Sequence, residues 1–161
     1  MLTFTTESLT EVIEVTGPIT ATIWASSEAL DTDFTATLVD VEPDAAGPDA
    51  AGPDAGGTPG KAIILCEGIV RARFRNGTDN PEMMTPGEAY EFDIDMWDTS
   101  NLFKAGHRIR VEISSSNFPR YNRNLNSGNP IATDTEITIA NQKIYHDSYH
   151  PSHVVLPVIR D

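Results

Sequence analysis

The sequence predicts an all-β chain folded as a β-sandwich of the jelly-roll kind, and three observations carry that prediction. Apolar residues recur mostly at every second position, the period of a strand with one buried face. Helical periodicity is almost absent. The alternating runs are short and are punctuated by Gly, Pro, Asn and Asp, the residues that end strands and make turns.

The opening "LTFTT" and "EVIEVTG" read as strands. In "PITATIWASS", Ile19, Ala21, Ile23 and Ala25 alternate with Thr20, Thr22, Trp24 and Ser26. In "DFTATLVDVE", Phe34, Ala36 and Leu38 alternate with Thr35, Thr37 and Val39. Further strands are expected at "KAIILCEG", "IVRARFR", "EAYEFDIDMW", "HRIRVEISSS", "TEITIANQKIY" and "SHVVLPVIR". Two of these suggest a pair. In "IVRARFR", Arg71, Arg73 and Arg75 share one face, with Val70, Ala72 and Phe74 on the other. In "YEFDIDM", Glu91, Asp93 and Asp95 oppose Tyr90, Phe92, Ile94 and Met96. Cross-strand ion pairing predicts these as antiparallel neighbours, arginine against carboxylate. The alternative is that the arginine row grips an anionic ligand.

Two connections carry turn chemistry. "FRNGTDNPEMMTPGEAY" contains Asn76-Gly77, Asn80-Pro81 and Pro86-Gly87 and is expected to be irregular. In "WDTSNLFKAGHRIR", Asp98, Thr99 and Ser100 are placed to cap one helical turn before Gly106. Between "LVDV" and "KAIIL" lies "PDAAGPDAAGPDAGG", a five-residue unit written almost three times. Its composition cannot form a core. It reads as an overgrown, mobile hairpin turn at 43–60 inside one domain spanning 1–161, because closure entropy grows slowly with loop length.

A formal charge of −13, from 24 acidic and 11 basic residues, makes nucleic acid or an anionic membrane an unexpected partner, because phosphate contact would be repulsive. Cys66 is the single cysteine, so an intrachain disulfide or a cysteine zinc cluster is excluded. The first residues show neither a basic region nor an apolar run, and a cytoplasmic location is favoured.

Three constellations invite a metal or a ligand. His146, His150 and His153 fall within eight residues, but Pro151 and the following strand argue against their convergence on one ion. Asp31 and Asp33 in "DTDF", and Asp93, Asp95 and Asp98 in "DIDMWD", hold carboxylates suited to calcium. The plainer reading has Asp31 shaping a turn through local backbone hydrogen bonds. No cofactor or metal is expected on balance. Trp24 and Trp97 could stack on a sugar, but packing is the simpler role for each.

By "TSNLFKAGHRIRVEISSSNFPRYNRNLNSG" the chain resembles a known family. It is similar to the C-terminal non-catalytic β-domain of the X-Pro dipeptidyl peptidase, cocaine esterase and α-amino acid ester hydrolase group of serine hydrolases. "VTGPITATIWASSEALDTDFTATLVDV", "CEGIVRARFRNGTDNPEMMTPGEAYEFDIDMW" and "YHDSYHPSHVVLPVI" carry the same likeness. The resemblance implies a jelly-roll sandwich similar in shape to galactose-binding modules, attached after an α/β-hydrolase domain that holds the nucleophile, acid and histidine. No G-x-S-x-G elbow occurs in this sequence, and Ser114, Ser115 and Ser116 read as a strand end. Met1 reads as an internal cut point, so the chain is expected to be a fragment lacking that upstream domain. A missing strand would leave an unpaired edge or an apolar patch and favour homo-oligomers.

The functional expectation is therefore a non-catalytic accessory domain that packs against and stabilises a catalytic domain cleaving ester or amide acyl bonds, with no catalytic residue of its own. Asn117, Arg120, Tyr121, Asn122, Arg123 and Asn124 gather donors and a ring in one connection. They either dock on the hydrolase domain or hold their own loop rigid. The alternative function is a free-standing module for carbohydrate or another small ligand.

Overall fold

In the computed structural model, which describes residues 1–44 and 59–160, nearly all regular structure is extended. The strands are β1 (Leu2–Thr5), β2 (Ile13–Ser27), β3 (Asp33–Val41), β4 (Ala62–Arg71), β5 (Tyr90–Phe103), β6 (Arg108–Ser114), β7 (Gln142–Tyr145), β8 (His153–Val155) and β9 (Val158–Ile159). They form two antiparallel sheets. One has the order β1-β6-β3-β4; in the other, β2 lies between β5 on one side and β7, β8 and β9, end to end, on the other. This is a β-sandwich, as the alternation predicts.

The alternating residues face one another across the two sheets. Phe34 from β3 and Phe92 from β5 meet with ring centroids 4.8 Å apart, and Ile19, Ala21, Ala25, Leu38, Ile94 and Met96 are buried around them. Each large side chain enclosed this way contributes about 1.5–3 kcal/mol of apolar transfer free energy.

The expected runs "EVIEVTG" and "PITATIWASS" are one strand. Gly17, at φ 135°, carries β2 through the point that reads as a break in sequence. "KAIILCEG" likewise continues into "IVR" as β4, and a 3-10 turn at Ala72–Phe74 then takes over. The helical turn expected at Asp98 to Ser100 does not form. Those residues pair with Pro18, Gly17 and Thr16 of β2 as part of β5. Of "TEITIANQKIY" only the last four residues are a strand. The residues expected as a mobile hairpin turn lie largely at 45–58, outside the described residues. On either side of them Val41 pairs with Ala62, and the Glu42 N–H donates to the Lys61 carbonyl at 2.9 Å.

The predicted pairing of the arginine run with the acidic run is wrong. β4 pairs with β3, and β5 pairs with β2 in the other sheet. Nearer carboxylates decide it. Arg71 binds Asp33 in fork fashion, with Nε and Nη2 at 2.8 and 2.9 Å from its two oxygens. Arg73, already on the 3-10 turn, binds Asp31, and Arg75 lies 3.3 Å from Glu82. On β5, Asp93 accepts a hydrogen bond from the Thr22 hydroxyl at 2.7 Å instead.

The two long sides of the sandwich differ. On one, β4 and β5 close together so tightly that a Cβ at Gly68 would lie 2.1 Å from the Asp95 carbonyl oxygen. On the other, β1 and the β7–β8 run are outermost strands with no further strand beside them among the described residues. The sandwich is closed along one seam and open along the other.

Candidate functional site

Two features could carry function: the long connection after β6 and the open seam. The connection is anchored from below by a buried polar knot. Asp31, whose side chain is fully buried, accepts from the Arg73 backbone N–H at 2.9 Å, from Arg73 Nε at 2.8 Å and from Asn124 Nδ2 at 2.8 Å. Asn124 Nδ2 also donates to Asp33 at 2.9 Å. Asp31 therefore acts at long range, correcting the local turn role expected for it: its partners lie 42 and 93 residues further along the chain. The charge-assisted hydrogen bond to Asp33 raises the pKa of Arg71 further above its ordinary value, against the opposing effect of burial. Guanidinium and amide groups occupy the carboxylate oxygens that a calcium ion would need. No cluster of three His, Cys, Asp or Glu placed to hold a metal exists among the described residues.

The six residues singled out in the connection divide between two kinds of environment. Asn117 Nδ2 donates to Glu67 of β4 at 2.6 Å, Arg120 pairs with the same carboxylate, and Asn124 enters the knot. These three tie the connection to the sandwich. Tyr121 is half-buried, and its N–H donates to the Asn117 carbonyl at 3.1 Å. Asn122 and Arg123 are exposed, with the Arg123 guanidinium 4.8 Å from the ring centre of Phe118, itself exposed. Further along, Ile137 and Ile139 stand 79% and 85% exposed on either side of Thr138, whose N–H donates to the Leu125 carbonyl at 2.9 Å.

The histidine run does not converge. His150 lies against the rings of Trp24 and Tyr145 at 5.2 and 5.0 Å, His153 bonds the Pro151 carbonyl, and His146 meets Phe4 edge to face at 6.0 Å. Trp24 is thus half-covered by its neighbours. Trp97 corrects the packing role expected for it. It is 68% exposed, at φ 67°, where the register of β5 against β2 shifts by a bulge between Pro18 and Thr20.

Sequence reasoning missed the shape of the open seam. Between β1 and β6 on one side and β2, β7 and β8 on the other runs an apolar slot of about 460 Å³, lined by Phe4, Ile23, Ile109, Val111, Val154 and Leu156 among others. A second hollow of about 300 Å³ continues it past Ile113 and Ile144 to Met1 and Leu2. An unpaired edge or apolar patch was expected from the resemblance, but the apolar alternation of β1 cannot say where that edge lies.

Residues 1–155 match the family model described as the X-Pro dipeptidyl-peptidase C-terminal non-catalytic domain. The chain belongs to this family. Over 99% of its length it is 48% identical to the cocaine esterase of Rhodococcus sp. strain MB1 Bresler, of which it covers 26%. An aminopeptidase from a marine sediment Thaumarchaeota archaeon superposes with a TM-score of 0.85 at 30% identity, covering 99% of this chain and 26% of that one. An α-amino acid ester hydrolase superposes with a TM-score of 0.83 at 31% identity, covering 98% and 25%. The chain spans about a quarter of the length of the relatives it matches.

Proposed function

We propose that this domain serves a larger serine hydrolase that cleaves ester or amide acyl bonds, docking on its α/β-hydrolase catalytic domain and stabilising it. The observation that carries the reading is the match of nearly the whole chain to a non-catalytic domain family, together with its covering only about a quarter of each relative. Exposed apolar side chains that could serve such docking include Phe118, Ile137 and Ile139 on the long connection, and Leu2 and Phe4 beside the open seam. Asn122 and Arg123 supply polar contacts at the rim, while Asn117, Arg120 and Asn124 set the height of the connection above the sandwich. The test is a chimera in which this chain replaces the matching quarter of the Rhodococcus cocaine esterase. The chimera is expected to keep esterase turnover and a melting temperature near that of the parent. The truncated enzyme should lose both. A chimera no more stable than the truncation would overturn the reading.

A second reading, a small-ligand or carbohydrate module, is favoured by one observation. Trp97 presents a ring 68% exposed, on a residue whose backbone N–H donates to the Asp95 carboxylate at 2.8 Å. Quenching of its fluorescence by galactose or another monosaccharide, lost in Trp97→Ala, would bring that reading forward.

A further inference from the structure

We infer that Asn76 is a self-modification site: the backbone nitrogen of Gly77 attacks its side-chain amide, ammonia leaves, and water then turns residue 76 into aspartate or isoaspartate. Water is the sole co-reactant. The inference is independent of the accessory-domain reading.

Three observations lead to it. First, the pair is unique in the sequence. Of the asparagines only Asn76 is followed by glycine, while Asn80 and Asn129 precede prolines, whose nitrogen carries no proton to give up. Second, the pair sits where a ring can close. Asn76 and Gly77 are exposed just after the 3-10 turn at Ala72–Phe74. Gly77 has φ 112°, and a Cβ there would meet nothing within 4 Å. Glycine's freedom at that angle lets its nitrogen swing toward Asn76 Cγ. Third, the reacting groups are lightly held. The Gly77 N–H donates to the Phe74 carbonyl at 3.0 Å, and Asn76 Nδ2 donates to Glu82 Oε2 at 3.0 Å, an exposed bond. Bonds of this kind open locally without unfolding the sandwich. Asn124, by contrast, is fixed on two buried carboxylates.

The chemistry balances. A bond forms between Gly77 N and Asn76 Cγ, the Cγ–Nδ2 bond breaks, and the proton from Gly77 N departs with Nδ2 as ammonia. Water opens the cyclic imide at either carbonyl. Cleavage at Cγ leaves aspartate in a normal backbone; cleavage at the main-chain carbonyl leaves isoaspartate, with the chain running through the former side chain.

Either product sets a new carboxylate beside Glu82, which accepted the lost amide and lies 3.3 Å from Arg75. Two carboxylates then compete for one guanidinium that is 4% exposed and stacked 4.4 Å over the Tyr90 ring. The loop between the 3-10 turn and β5 loosens, and the sandwich stays intact.

The test follows residue 76 by peptide mass mapping while the whole chain is incubated at mildly alkaline pH. A synthetic peptide of residues 71–82 serves as the unstructured reference. Asn76 should convert before any other asparagine and give both products, isoaspartate being the mark of the imide. Gly77→Ala should slow conversion at least tenfold, because a Cβ hinders the attacking nitrogen. It alters an exposed turn, so the variant is expected to fold, with far-ultraviolet circular dichroism as the check. Asn76→Asp fixes one product without any conversion. It should speed hydrogen exchange at the Glu82 amide, which donates to the Arg73 carbonyl at 2.8 Å, at least threefold, and change exchange in β2 and β3 less than twofold. Conversion of the peptide but not of the chain would overturn the site. So would aspartate without isoaspartate, or equal rates for wild type and Gly77→Ala. Unchanged exchange at Glu82 in Asn76→Asp would overturn the loosening.

Discussion

The side-chain amide of Asn124 donates to Asp31 at 2.8 Å across 93 residues of sequence, and the same nitrogen reaches Asp33 at 2.9 Å. One amide thereby fastens the long connection to two buried carboxylates at the β2–β3 turn. Hydrogen bonds to charged groups contribute about 1.5–3 kcal/mol each, so Asn124→Ala should lower unfolding free energy by about that amount in urea. Asn124→Asp should cost more, because it sets a third carboxylate against the other two, and part of the loss should return in mild acid. Arg73→Met strands the fully buried Asp31 charge and should cost about 3–5 kcal/mol. A loss under about 0.5 kcal/mol for both Asn124→Ala and Arg73→Met would mean that the knot is incidental.

Gly68 is where the closed seam is tightest. An added methyl would meet the Asp95 carbonyl oxygen at 2.1 Å and Ile94 Cγ2 at 2.8 Å, and a backbone oxygen inside a strand cannot swing aside. Gly68→Ala is therefore expected to destabilise by about 1–3 kcal/mol, with hydrogen exchange accelerated first along β4 and β5. Wild-type stability for this variant would show that the two sheets can separate there at no cost.

How much of this could be read from the residues depends on range. Strand identity is local, so the period-two runs in β2, β3 and β5 were legible, and the family was legible in long ordered blocks. Strand pairing is not local. The arginine run and the acidic run satisfy the same charge rule as the pairing actually found, and only the fold reveals that Asp31 and Asp33 reach Arg73 and Arg71 first. The connection residues Asn117, Arg120 and Asn124 were visible as a cluster of donors, but their acceptors, Glu67, Asp31 and Asp33, lie far back in the sequence. Ile137 and Ile139 misled for the opposite reason. Their alternation predicts a strand, yet neither belongs to one, since β7 begins only at Gln142.

Trp97 sits at φ 67°, a conformation that costs a bulky L-residue about 1–2 kcal/mol. Its exposed ring gives little packing in return. Trp97→Gly should raise unfolding free energy by about 0.5–1 kcal/mol, as glycine tolerates the bulge without a Cβ clash. A fall in stability would show that the ring makes contacts its exposure conceals, and a rise accompanied by loss of hydrolase docking would assign the strain to binding.

Cys66 is buried, and burial first, with the charge of Glu67 second, pushes its thiol up to about 11. At neutral pH almost no thiolate is present, so a disulfide reagent should react only at the rate at which the sandwich opens. Prompt labelling of the native chain would contradict this burial.

The Ser127 hydroxyl, the largest influence, and the Glu136 N–H hold the Asp134 carboxyl below its ordinary 3.8. Because its native pKa is depressed, the ionised form favours the folded connection. That contribution is fully present above the ordinary value and disappears as pH falls through the native one. Ser127→Ala removes the strongest donor, so the Asp134 titration should move back toward 3.8 and the two proteins should converge in stability only in strong acid. The check is a carboxyl-carbon titration by NMR alongside urea midpoints from neutral pH downward. An unchanged Asp134 titration in Ser127→Ala would show that the turn's backbone N–H groups, and not the hydroxyl, set its acidity, in which case only replacing Asp134 with Asn should flatten the acid limb of stability.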